Sequence, residues 1–123
     1  MKNCPDCHSK VGSMAKHRSI CLVRSNKGLK TWLESIEFWL RRMEGHLAQA
    51  YKNIARYTHV GKRPEDRKQA SEEYESAAGM LDRVPKLLKQ ISGYHCERVY
   101  EAQLRSSIVS NQVQEIWVIL RNL

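Results

Sequence analysis

From Leu29 onward, apolar residues recur at alternating intervals of four and three: Leu29, Leu33, Ile36, Leu40, Met43, Leu47, Ala50, Ile54 and Tyr57. Residues three and four apart share one side of a helix, so this spacing predicts a single long amphipathic helix. Trp32 and Trp39 lie seven apart and widen the stripe beyond a narrow two-stranded seam. Val60-Gly61 and then Pro64 predict a stop and a restart.

A second stripe runs through Ala70, Tyr74, Ala77, Leu81, Val84, Leu88 and Ile91. Glu65 and Asp66 suit the positive end of its helix. Pro85 interrupts the stripe and predicts a kink or a split near Leu81. Ser92-Gly93-Tyr94-His95 reads as a tight turn with Gly93 as the cap. A third stripe follows at Val99, Ala102, Ser106, Val109, Val113, Ile116, Leu120 and Leu123, flanked by Trp117. Three such helices with short connections predict an all-α fold, most simply an antiparallel three-helix bundle. Seven-residue repeats also build intermolecular coiled coils, so a homodimer through the helices is the companion expectation.

Composition changes this picture only at one end. The chain of 123 residues has a formal net charge of +8. Residues 1–30 hold seven basic side chains against Asp6 alone, a net +6, while the remainder holds fourteen basic and twelve acidic. No apolar run is long enough to span a membrane, and "MKNCPDCHSK" lacks the apolar stretch of a secretory signal. The expectation is an intracellular protein with reduced thiols, where clustered cysteines bind metal more often than they pair.

The basic end is also the cysteine end. "CPDCHSKVGSMAKHRSIC" places Cys4 and Cys7 two residues apart, then His17 after nine, then Cys21 after three. A Cys-x-x-Cys turn supplies two sulfur donors, and Pro5 helps to fix it. His17 and Cys21, four apart, would share one face of a helix running from an N-cap at Ser13 to a stop at Gly28. Four ligands complete a tetrahedral Zn2+ site with no open position, hence a structural one. Other chemistries compete for the same residues. "CPDCH" matches a haem-attachment pattern with His8 as axial ligand, a Cys-x-x-Cys pair can be redox-active, and the cluster can be fortuitous.

The spacing resembles a single zinc finger of the Cys-Cys-His-Cys type, over roughly residues 1–25. The resemblance implies Cys4, Cys7, His17 and Cys21 as ligands of one structural zinc. The loop is shorter than in common DNA-reading fingers, and the apolar positions reduce to Val11, Met14 and Ile20. The expected division is a finger at 1–27 and a helical part at 28–123. Burial alone cannot hold so polar a finger, so metal folds it while the helices stand without metal.

Clustered positive charge favours polyanions. The expected partner is nucleic acid, DNA before RNA, met by Lys10, Ser13, Lys16, Arg18, Arg24 and Lys27. The alternative is an adaptor or inhibitor that binds another protein, an acidic surface above all. Arg42, Arg56 and Arg63 read as solvated surface facing Glu72, Glu73 and Glu75. Cys96 reads as a packed thiol, His46 and His59 as surface or capping residues, and the three tryptophans as core. No phosphate loop, nucleophile elbow or paired-carboxylate arrangement is present, so no catalysis is expected.

Overall fold

The computed structural model describes residues 2–123. They are mostly helical, with one small sheet. The strands β1 (Lys2–Asn3) and β2 (Lys10–Val11) pair antiparallel, Lys2 opposite Val11 and Asn3 opposite Lys10. Two short helices follow, α1 (Met14–Arg18) and α2 (Leu22–Ser25). The long helices are α3 (Lys27–His59), α4 (Pro64–Met80) and α6 (Glu97–Arg121). Between α4 and α6 lie a 3₁₀ turn (Leu81–Arg83) and α5 (Pro85–Ile91).

The predicted apolar stripe of α3 is buried from Leu29 through Ile54, and only Tyr57 remains half-buried. The helix begins earlier than its stripe. Asn26 is the N-cap: its side-chain oxygen accepts from the Leu29 N–H at 3.0 Å while its amide donates to the Tyr94 hydroxyl at 3.1 Å. Gly28, expected as a stop, therefore lies inside the first turn of α3. The far end behaves as predicted. Gly61 (φ 112°) and Lys62 (φ 53°) take left-handed conformations that turn the chain out of the helix.

Pro64 occupies the first turn of α4, with Glu65 and Asp66 beside it. Ala70 and Ala77 are fully buried, and their small side chains let α4 lie close along α3. Pro85 splits the second stripe as its chemistry requires. It has no N–H to donate and its ring crowds the Leu81 carbonyl, so α4 ends at Met80 and α5 starts on the proline. The turn before α6 forms at Ser92-Gly93, without a left-handed glycine.

On α6 the inner face is Val99, Ala102, Ser106, Val109, Val113 and Ile116. Its direction follows from two ion pairs. Arg98 meets Glu37 and, one heptad further along both helices, Arg105 meets Glu44. Equal steps in the same sense mean that α3 and α6 run parallel. Among the described residues, no helix is long and apolar enough to cross a membrane.

Candidate metal centre

The β1–β2 hairpin carries Cys4 and Cys7 at its tip. The Cys4 N–H donates to the Ser9 carbonyl and the His8 N–H to the Cys4 carbonyl, both at 2.8 Å. His8 takes a left-handed backbone (φ 65°), which closes the turn and leads back into β2. This is a hairpin turn and not the start of a helix, so the pair lacks the setting of a helical redox motif.

The other two candidate donors, His17 and Cys21, come from the α1–α2 segment. Ser13 caps α1 as expected, accepting from the Lys16 N–H at 3.5 Å. The continuous helix expected from Ser13 to Gly28 does not form. The chain leaves α1 after Arg18, and Cys21 is the extended N-cap of α2. Burial explains the break. At 100° per residue Cys21 and Val23 would point about 200° apart on one helix, yet Cys21 is 1% exposed and Val23 0%. Breaking the helix lets both face inward, and the turn, not a shared helix face, brings Cys21 back beside His17.

The four donor atoms of Cys4, Cys7, His17 and Cys21 all lie within 4.8 Å of one another. Cys4 Sγ and Cys21 Sγ are 3.7 Å apart, and Cys7 Sγ is 3.3 Å from His17 Nε2. A disulfide would hold its sulfurs at about 2.05 Å. Two thiolates on one tetrahedral zinc, each about 2.3 Å from the ion, sit about 3.8 Å apart. The donor set thus fits a tetrahedral ion and does not fit a disulfide. The cysteines are at most 2% exposed and His17 is half-buried.

The thiols differ in acidity. Burial pushes Cys4 up, but the Cys7 and Asp6 backbone N–H groups and the neighbouring thiols outweigh it and bring Cys4 down to about 7. Burial pushes Cys21 up to about 11, with the Arg24 backbone N–H opposing and the nearby thiols adding to the rise. Of these two thiols Cys4 is the more readily ionised, and a metal ion binding here would displace the proton that Cys21 holds.

Residues near the centre divide clearly. Cys96, the N-cap of α6, is buried, and burial raises its thiol; it is not one of the four clustered donors. His8 points away as well, with Nδ1 at 2.6 Å from Glu101 Oε2. Lys10, Ser13, Lys16, Arg18, Arg24 and Lys27 are all exposed. Among the described residues, no ion pair engages any of these five cations. Elsewhere the expected pairings shift. Glu73 meets His46, and Arg63 meets Asp66 at 3.6 Å. Trp32 and Trp39 pack half-buried against the core, while Trp117 is 46% exposed under Arg121.

Arg98 and Glu37 were not marked by the sequence as part of this region. The Arg98 backbone N–H donates to the Cys7 carbonyl at 2.8 Å, and its Nη1 donates to the Asp6 carbonyl at 2.9 Å. The available signal was a shared period: Glu37 and Glu44 are seven apart, and so are Arg98 and Arg105. Comparison of the chain with known protein families, with curated proteins and with solved structures finds no match.

Proposed function

We propose that residues 1–27 form a zinc finger of the Cys-Cys-His-Cys type, with one structural Zn2+ held by Cys4, Cys7, His17 and Cys21, and that its basic surface binds nucleic acid, DNA before RNA. In this reading residues 28–123 are an antiparallel three-helix bundle that serves dimerisation or partner docking. The protein has a regulatory, intracellular role and no catalytic one. The observation that carries the zinc assignment is the convergence of three buried sulfurs and one imidazole within 4.8 Å. Zinc suits them because three thiolates and a neutral imidazole fill its tetrahedral shell and leave no position for substrate.

The nucleic-acid reading rests on the exposed, unpaired Lys10, Lys16, Arg18, Arg24 and Lys27 on one small segment. Such cations gain binding free energy by releasing counterions from phosphates. With about five phosphate contacts, affinity falls by about two to three decades between 50 and 200 mM salt. A salt titration with labelled duplex DNA, run beside a Lys16→Gln, Arg18→Gln, Arg24→Gln variant, tests this. Weak binding with no salt dependence in the wild-type chain would end the nucleic-acid reading.

One observation favours the second reading, a protein partner. Ile20 is 76% exposed at the tip between α1 and α2, where an apolar side chain serves protein contact better than phosphate contact. Dimerisation has a separate support: Tyr100, Leu104 and Ile108, four apart on the outer face of α6, are 45%, 62% and 45% exposed. Sedimentation of the wild-type chain and a Leu104→Glu, Ile108→Glu variant tests that face.

A further inference from the structure

The finger segment and the helices meet at Arg98, which is 8% exposed. Its Nε and Nη2 grip the two oxygens of Glu37 at 2.8 and 2.6 Å, anchoring the guanidinium to α3. That leaves Nη1 for the Asp6 carbonyl, while the Arg98 backbone N–H, at the open end of α6, takes the Cys7 carbonyl. Both acceptors belong to the Cys4–Cys7 turn that aims two sulfurs at the common point. A buried bidentate pair has one geometry, so it fixes where those carbonyls sit.

We propose that Arg98, held by Glu37, is a positioning residue for the metal centre, and that metal binding and helix packing therefore stabilise each other. The inference rests on the reading of the four-residue cluster as a zinc site. Groups behind metal ligands that fix their orientation typically change affinity by about 10- to 100-fold when removed. Coupling between two binding free energies is reciprocal, so whatever helix packing gives to metal affinity, metal gives back to helix packing.

The molecule contains its own control. Arg105 grips Glu44 side-on at 3.0 and 2.5 Å, one heptad along the same two helices. Among the described residues, Arg105 has no hydrogen bond to the metal turn. Zinc affinity is measured by competition with a chromophoric chelator for wild type, Arg98→Gln, Glu37→Gln, the double variant, Arg105→Gln and Glu44→Gln. Arg98→Gln and Glu37→Gln each weaken zinc binding by about 10- to 100-fold, and the double variant is no weaker than Arg98→Gln. The two control variants stay within about twofold of wild type. Cobalt(II) spectra remain those of the same ligand set throughout.

If Arg98→Gln loses its helicity, Glu37→Gln, which preserves the side-chain shape, carries the test. Wild-type zinc affinity in Glu37→Gln, or an equal loss in the control pair, would overturn the coupling while leaving the zinc site intact. A wild-type chain that takes up no zinc overturns the site and the coupling together.

Discussion

At the residue scale, Glu37 shows how one carboxylate serves two elements. Burial would raise its pKa, but the Arg98 hydrogen bonds and charge outweigh this and hold it below the ordinary carboxylate range. A carboxylate whose pKa is depressed by folding stabilises the native state above its unfolded pKa of about 4.3. That stabilisation disappears as pH falls through the lower folded value. Thermal midpoints measured between neutral pH and pH 3 should therefore drop more steeply for the wild type than for Glu37→Gln in acid. Parallel curves would remove Glu37 from the acid response. Acid would also release zinc from the proposed site, since protons compete for thiolates, so the two chains are compared in the presence of a chelator.

The same scale shows what was legible. The clustering of the four donors could be read from spacing because Cys-x-x-Cys and the His17–Cys21 pair are local signals. Arg98 was not legible, because its partners lie 61 and 92 positions away. The seven-residue spacing shared by Glu37–Glu44 and Arg98–Arg105 hints at a helix pairing, but nothing local points to the Asp6 and Cys7 carbonyls. The break between α1 and α2 was equally hidden. It follows from burying both Cys21 and Val23, a tertiary demand that overrides the local preference for one helix.

At the element scale, α3 is the spine against which α2, α4, α5 and α6 pack. Its stripe was legible nearly residue by residue, since four-three spacing maps directly onto one buried face. Only its start was misread, because Asn26 caps the helix two residues before the glycine expected to stop the preceding one. Leu40 is completely buried at mid-helix. Leu40→Ala should cost about 2–5 kcal/mol in a denaturant melt. A loss below about 1 kcal/mol would mean that the neighbouring elements collapse freely into the gap. The outer face of α6 was read less well. Its stripe named the inner residues through Ile116, while Leu120 and Leu123 are only half-buried, and Tyr100, Leu104 and Ile108 interleave with it, so the helix is apolar on two sides.

At the scale of the whole molecule, two designs differ in what happens when metal leaves. A finger joined to the helices only by the chain would unfold alone and leave the helices unchanged. The Arg98 contacts to Asp6 and Cys7 tie the metal turn to α6 instead. Free zinc at 100 times its dissociation constant stabilises a protein that binds it only when folded by about 2.7 kcal/mol. The helical melting transition should therefore fall when zinc is chelated, with most helicity still present at room temperature. A helical transition indifferent to chelation would assign the finger its own separate stability. Of the ion pairs among the described residues the most enclosed, Arg98–Glu37, joins α6 to α3, while Lys10, Lys16, Arg18, Arg24 and Lys27 stand exposed outside any ion pair.

The most direct measurement is metal content by mass spectrometry on protein purified without added metal, beside a Cys7→Ser, Cys21→Ser variant. One zinc per wild-type chain, absent from the variant while helicity by circular dichroism is largely kept, is the predicted result. A metal-free wild-type chain, or a haem absorption band, would contradict the metal centre on which the functional reading stands.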